Sequence, residues 1–226
     1  MARRCPAKLA EHASDGPRRT LPTRSTFRGV PFRQGRRTIE DNPLGRRIEM
    51  GKLIATTQAT VDGVIDPVGE WVQADGDHGV YSFERQARSG GLVLGRKTYE
   101  GLAGYWPSQS GKWADMVNQM PKYVGSRTLS GDLEWNATLL AGDLEDSIPG
   151  LKNEVDGDLF MHGSGEFAYA LAEKGLIDEY EVYLNPLVWG KGNVHVLGDR
   201  GTIRMELADV TRFDSGVVLL TYLPAT

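Results

Sequence analysis

Leu92-Val93-Leu94-Gly95-Arg96-Lys97-Thr98-Tyr99-Glu100 is an apolar run that stops at a glycine and passes at once into two cations, a hydroxyl and a new helix. A buried strand that ends this way points backbone N–H groups and positive charge at the entrance of the helix, an arrangement that holds phosphate. An ordinary β-to-α turn with a solvated Arg-Lys pair would read the same. Two further strand ends favour the phosphate reading. One is basic and rich in hydroxyls, Ser126-Arg127-Thr128, and the other is glycine-rich, Gly163-Ser164-Gly165.

On either side of this stretch the chain alternates strand and helix. Leu53 to Thr57 is β-prone and leads into the turn Val61-Asp62-Gly63-Val64-Ile65. The spacing of Val80, Phe83 and Ala87 predicts a helix over 79–88, with shorter helical pieces from Thr98 and over 112–119. Lys122-Tyr123-Val124 and Ala137 to Leu140 read as strands. Residues 143–153 are expected to be helical only in pieces, because Pro149 interrupts them. Asp158 to Met161 is a strand that feeds a helix from Ser164 to Lys174, which Gly175 ends. Strands follow over 179–187, 203–211 and 217–222, the last two joined at Asp214-Ser215-Gly216. This order predicts an α/β fold in which helices flank a mixed sheet.

Charge divides the chain unevenly. Residues 1–49 carry 12 Lys/Arg against 5 Asp/Glu, and residues 50–226 carry 14 against 25. The acidic body argues against nucleic acid as a main partner. The first 49 residues hold four Arg-Arg pairs and five prolines without apolar periodicity, and disorder is expected there. They read as sequence upstream of a functional start at Met50, with an organelle transit peptide or a basic nucleic-acid-binding arm as the alternatives. Residues 50–226 are expected to form the working domain. Cys5 is the single cysteine, so no disulfide framework or Cys-based zinc site is expected, and no apolar run has the length of a membrane span. A cytoplasmic location fits this composition.

In an open α/β sheet ligands sit outside the carboxyl ends of the strands, where all three motifs fall. Gly163-Ser164-Gly165-Glu166-Phe167-Ala168 matches Gly-x-Gly-x-x-Ala, but it starts too late in the chain for a second mononucleotide-binding half. Its small residues still allow close approach to a pyrophosphate. A 2′-phosphate on an adenosine ribose favours Arg with neighbouring hydroxyls, which Ser126, Arg127 and Thr128 supply, so the phosphorylated dinucleotide is the expected form.

Residues 50–224 resemble the reductase domain found at the C-terminus of bacterial riboflavin-biosynthesis deaminase–reductases, and among them the stand-alone, single-domain members. The resemblance is carried in order by Val61-Asp62-Gly63, Leu94 to Glu100, Tyr105-Trp106-Pro107, Pro121 to Val124 leading to Ser126-Arg127-Thr128-Leu129, His162-Gly163-Ser164-Gly165, Leu176-Ile177-Asp178-Glu179 and Pro186 to Gly192. It implies the dihydrofolate reductase-like fold, three α/β/α layers around a mixed, mostly parallel sheet with an antiparallel C-terminal hairpin. It implies NADPH as hydride donor, its phosphates held around Gly95, Arg96, Lys97, Thr98, Ser126, Arg127 and Thr128 and its pyrophosphate at Gly163, Ser164, Gly165 and Glu166. The nicotinamide is implied near 61–65, and a homodimer is implied as well. The deaminase signature, His-x-Glu with Pro-Cys-x-x-Cys, does not occur in the chain.

Such chemistry needs donor and acceptor aligned away from water, and it benefits from a proton donor. A dihydrofolate reductase takes a carboxylate from the start of the helix after its first loop, and Asp75 and Asp77 lie near that place. Asp77 and the turn residue Asp62 are the candidate catalytic carboxylates, each also readable as a solvated or turn-forming acid. Trp71, Tyr105 and Trp106 are candidates to wall a flat heterocycle, or equally to cover a core edge. His162 reads as a packed or backbone-bonded histidine, and His195 has no assigned role. The expected activity is NADPH-dependent reduction of a small pyrimidine or pterin-like heterocycle, by family analogy 5-amino-6-(5-phosphoribosylamino)uracil. The rivals are a dihydrofolate or other pterin reductase, a non-catalytic NADP-binding protein, and a nucleic-acid binder acting through the basic leader.

Overall fold

The computed structural model describes residues 50–163, 165–192 and 201–225. Residues 1–49, Ser164 and His195 therefore lie outside the described residues, and the readings that fall on them with them. The elements run β1 (Leu53–Thr60), α1 (Asp77–Gln86), β2 (Gly91–Gly95), α2 (Arg96–Tyr105), α3 (Lys112–Gln119), β3 (Lys122–Gly125), β4 (Ala137–Leu139), α4 (Leu144–Glu154), β5 (Leu159–His162), α5 (Glu166–Glu173), β6 (Glu179–Asn185), β7 (Met205–Arg212) and β8 (Val218–Pro224). Among the described residues no helix is long and apolar enough to cross a membrane.

The eight strands form one sheet in the order β4-β3-β2-β5-β1-β6-β8-β7. Every pairing is parallel except the two made by β8, which lies antiparallel between β6 and β7. Parallel neighbours need a crossover, and helices lie in the crossovers except between β3 and β4, which residues 126–136 join without one. Alternation along the strands then fixes the layers. Leu53, Val93, Leu159 and Met161 face α4 and α5, where they meet Ile148, Leu151, Ala168 and Leu171. Ile54, Leu92, Leu94 and Phe160 face the other way onto Tyr99 of α2 and Val117 of α3. Tyr81 of α1 covers Tyr183, Phe213, Val217 and Leu219 over β6 and β8 on that same side. The expected α/β architecture with an antiparallel C-terminal hairpin is the observed one.

Several element boundaries differ from the sequence reading, three of them with consequences for the packing. The helix expected over 79–88 begins at Asp77, and Gly79 belongs inside it because a Cβ there would lie 1.7 Å from the Ala74 carbonyl oxygen. β1 continues to Thr60 rather than stopping at Thr57. The pieces expected over 143–153 form one helix, α4, with Pro149 inside it. The missing N–H frees only the carbonyl of exposed Glu145, while Ile148 and Leu151 remain anchored in the core.

Lys122 is buried at the start of β3, its ammonium donating to the Asn118 carbonyl at 3.1 Å and lying 4.0 Å from the Trp135 ring centroid. Desolvation pulls its pKa down to about 8. The unfolded chain therefore binds more protons than the folded one between about pH 8 and the ordinary lysine value, so this group makes stability rise with pH across that window. Lys122→Met is expected to flatten that rise and, since the lost cation–π contact offsets part of the gain, to stabilise the fold at neutral pH by on the order of 1 kcal/mol. Urea unfolding at pH 7 and pH 9.5 checks both.

Candidate functional site

The carboxyl ends of β2, β3 and β5 meet on one edge of the sheet. Gly95 and Gly125 are partners across the β2–β3 ladder. Phe167 of α5 lies over both, and a Cβ would come within 2.8 Å of it at Gly95 and 2.2 Å at Gly125. Gly163, with φ +96°, lies against Thr98, its Cβ position 2.7 Å from the Thr98 hydroxyl. The three motifs separated in sequence are thus one constellation, and their glycines are what let the strand ends and two helix entrances approach. α2 starts after Gly95 and α5 after Gly165, and neither helix receives a side-chain cap, so their first amides are open to an outside acceptor.

The side chains around this edge are not equivalent. Arg96 is held by Glu100 one turn along its own helix, at 2.9 and 3.1 Å. Lys97 and Arg127 are exposed and form no ion pair among the described residues. The Ser126 hydroxyl accepts from the amides of Thr128 and Leu129 at 3.1 and 3.0 Å, which folds the turn and presents Arg127. Thr128 is exposed beside it, 3.4 Å from that hydroxyl. Glu166 puts a carboxylate on the first turn of α5, so a phosphate there would use its amide and not its side chain.

Asp62 and Asp77 are placed as tethers. The Asp62 carboxylate accepts from the Thr60 hydroxyl at 2.6 Å and from the amides of Gly190 and Trp189 at 2.8 and 3.1 Å. These bonds, the Thr60 one first, hold its pKa down to about 2. Asp77 accepts from the amides of Asp214 and Ser215 at 2.6 and 3.2 Å, and these outweigh its partial desolvation to lower its pKa as well. These bonds give both carboxylates an anchoring role between distant segments, beside the catalytic role expected of them from the sequence. The aromatic wall is also divided. Trp71 is buried in the segment after β1. Tyr105 and Trp106 lie at the far end of α2, about 15 Å along its axis from Gly95, where Trp106 packs into the α2–α3 core. The Tyr105 and Trp106 rings meet edge-on with centroids 5.2 Å apart, and among the described residues no ring contact joins Trp71 to them.

Residues 51–219 match the RibD C-terminal domain family. The chain belongs to that family. Among curated proteins it is similar to the uncharacterized protein YyaP of Bacillus subtilis, with 24% identity over 184 residues, 77% of this chain and 96% of that one. Among solved structures it is similar to a Shewanella sp. PV-4 protein that carries a provisional riboflavin-biosynthesis name, with a TM-score of 0.60 and 20% identity over 77% of this chain and 99% of the other. It is also similar to Enterococcus faecalis dihydrofolate reductase solved with NADP(H), with a TM-score of 0.52 and 16% identity over 78% and 98%. The dihydrofolate reductase-like fold read from the sequence motifs is therefore confirmed.

In this RibD C-terminal domain the sheet face under α1 changes character along the strands. Near their amino ends it is apolar, at Ile54, Leu92 and Phe160. Toward the carboxyl ends it becomes polar, and the ladder aligns Thr56 with His162 and Glu181, Gln58 with Tyr183, and Thr60 with Asn185. Thr56, Gln58 and His162 are only half-buried although they lie on central strands. Asn185 donates to Gln58 at 2.9 Å, and His162 Nε2 bonds Gln86 of α1 at 2.8 Å. Burial pushes His162 down to about 4, so at neutral pH it is uncharged and its Nε2–H donates to the Gln86 carbonyl oxygen. The signal for this floor was present in the sequence as polar or hydroxyl-bearing residues at every second position, 56-58-60 and 179-181-183-185.

Proposed function

We propose that this protein is an NADPH-dependent reductase of a pyrimidine or pterin-like heterocycle, with 5-amino-6-(5-phosphoribosylamino)uracil as the substrate that the family resemblance favours. The carrying observation is the convergence of Gly95, Gly125 and Gly163, which sets two uncapped helix entrances on one edge beside Arg127, a residue with no ion pair among the described residues. Such an edge suits a dinucleotide: the amides of Arg96, Lys97 and Thr98 and of Gly165 and Glu166 face its phosphates, and Arg127 with Thr128 suits a 2′-phosphate. Lys97, without an ion pair among the described residues, adds charge there, and Ser164 completes the glycine turn in sequence. Bound there, the dinucleotide supplies a hydride. The chain itself contributes a polar floor, Thr56, Gln58 and His162, on which a heterocycle with alternating donors and acceptors can be oriented.

The test is a titration of the protein with NADPH and NADH followed by tryptophan fluorescence, then turnover with the uracil substrate and with dihydrofolate. Saturable binding that prefers NADPH, with oxidation of NADPH only when the uracil is present, is the expected result. Turnover with dihydrofolate alone assigns the pterin instead. NADPH binding without turnover on either leaves a binding protein, and no binding of either dinucleotide overturns the proposal.

A further inference from the structure

The polar floor owes its hydrogen-bonding pattern to two buried amides behind it, those of Asn185 and Gln86. Asn185 Nδ2 lies 3.0 Å from the Tyr183 carbonyl oxygen, 3.3 Å from that of Ala59 and 2.9 Å from Gln58 Oε1. Backbone carbonyls only accept, so the Asn185 atom among them is the nitrogen, and the Gln58 atom facing it is the oxygen. The Gln58 oxygen is therefore occupied, and its NH2 has no partner among the described residues. On the other side, Gln86 Nε2 donates to the Ser82 hydroxyl at 3.0 Å, which leaves Oε1 for His162 Nε2 at 2.8 Å. An amide oxygen only accepts, so the single proton of the neutral His162 ring is on Nε2. Its Nδ1 then carries a lone pair with no partner among the described residues.

These two groups belong to one surface. His162 ends β5 beside Gly163 of the phosphate edge, and it pairs with Thr56, two residues before Gln58 on β1. The bond to Gln86 of α1 shows which face His162 takes, and cross-strand pairing with alternation puts Thr56 and Gln58 on the same face. Strand spacing sets the Cα atoms of His162 and Gln58 about 8 Å apart, which one planar ring spans with its hydrogen bonds. The Thr56 hydroxyl between them donates or accepts and imposes no polarity. Glu181, next in that row, is 2% exposed and paired with Arg85 at 2.6 Å, so it offers the ring no carboxylate.

We propose that Gln86 and Asn185 are positioning residues that set the polarity of this floor, so that His162 Nδ1 accepts from a ring N–H and Gln58 Nε2 donates to the adjoining carbonyl oxygen of a lactam-type heterocycle. This rests on the reductase reading above and narrows its substrate to a ring with an N–H beside a C=O, as in an oxopyrimidine. Both hydrogen bonds are neutral, and selectivity comes from the cost of leaving either buried group unpaired.

The first test reads the tautomer. In 15N NMR of histidine-labelled protein, with His162→Asn identifying the resonances, Nε2 is expected to be protonated and Nδ1 bare at neutral pH. Adding 5,6-diaminouracil, with and without NADP+, is expected to shift Nδ1 as it gains an N–H partner. The second test compares this probe with its 1,3-dimethyl analogue, which keeps both carbonyls and both amines but has no ring N–H. Methylation is expected to weaken binding to the wild type about 10- to 100-fold. Gln86→Glu sets a carboxylate against Nε2, favours the doubly protonated ring and makes Nδ1 a donor, so the preference is expected to shrink to about threefold or less. His162→Phe is expected to do the same, and it serves where the Gln86 variant folds poorly. Gln58→Glu removes the donor and is expected to weaken both probes alike, by about tenfold. A free ring protonated on Nδ1, an Nδ1 resonance that diaminouracil does not move, or equal wild-type affinity for the two probes overturns the proposal. A preference that persists in both His162→Phe and Gln86→Glu overturns it as well. Failure of the reductase reading looks different: diaminouracil binds with the N–H preference, while NADPH neither binds nor is oxidised.

Discussion

Arg127→Ala is expected to raise the Kd for NADPH by about 10- to 100-fold and to leave the Kd for NADH within about threefold of wild type. The 2′-phosphate is the one group that distinguishes the two dinucleotides. A charge-assisted hydrogen bond to it contributes about 1.5–3 kcal/mol, which is where the factor comes from. Arg127 suits this partner because the Ser126-centred turn fixes the backbone beneath it and no carboxylate competes for its guanidinium among the described residues. Arg96 is the contrasting case, since Glu100 already occupies its guanidinium. Lysine at 127 keeps the charge but loses the planar fork, so Arg127→Lys is expected to fall between wild type and alanine. Calorimetric or fluorescence titration with both dinucleotides checks this, and equal losses for NADPH and NADH would remove Arg127 from the 2′-phosphate role.

The second large effect is expected at Gly163. Alanine there must adopt φ +96°, and its methyl would stand 2.7 Å from the Thr98 hydroxyl. Both demands are met only by shifting the β5–α5 turn away from the start of α2, so the substitution is expected to destabilise the fold by about 2 kcal/mol. Because the same shift opens the two helix entrances, NADPH affinity is expected to fall at least about tenfold, beyond what lowered stability alone would produce. Gly101→Ala provides the comparison. That glycine is inside α2 and nothing lies within 4 Å of its Cβ position. The identical change is therefore expected to stabilise by about 0.5–1 kcal/mol with NADPH binding unchanged. Thermal unfolding of the two variants should move in opposite directions, and parallel shifts would show that the Gly163 cradle is not built as described.

The strands and the edge they form were legible because their cause is local. Leu92-Val93-Leu94 can be buried on both faces only in a central strand, and Gly95 followed by Arg96 and Lys97 marks the end of that strand and the start of a helix. The Asp214-Ser215-Gly216 turn was legible for the same reason: Gly216 takes φ +85°, and the Phe213–Val217 amide bond closes the hairpin. Pro149 misled because its effect depends on where the missing hydrogen bond would have been, and that acceptor belongs to exposed Glu145. Tyr105 and Trp106 follow the phosphate-type motif in sequence, and the length of α2 sets them about 15 Å from Gly95, a separation that only the helix makes visible.

The sequence by itself determined the α/β alternation, the three strand ends and the basic, hydroxyl-bearing residues they carry, since each depends on neighbours only a few positions away. Tertiary structure alone decided what surrounds the acids. Asp62 and Asp77 read as candidate catalytic carboxylates in the chain, and only the fold shows that each also anchors amides more than a hundred residues distant. Glu181 resembles any strand glutamate until α1 buries it and leaves it a single shared cation. Protonation is governed by solvent access and by charges close in space, and the fold sets both by bringing together residues that the chain keeps far apart.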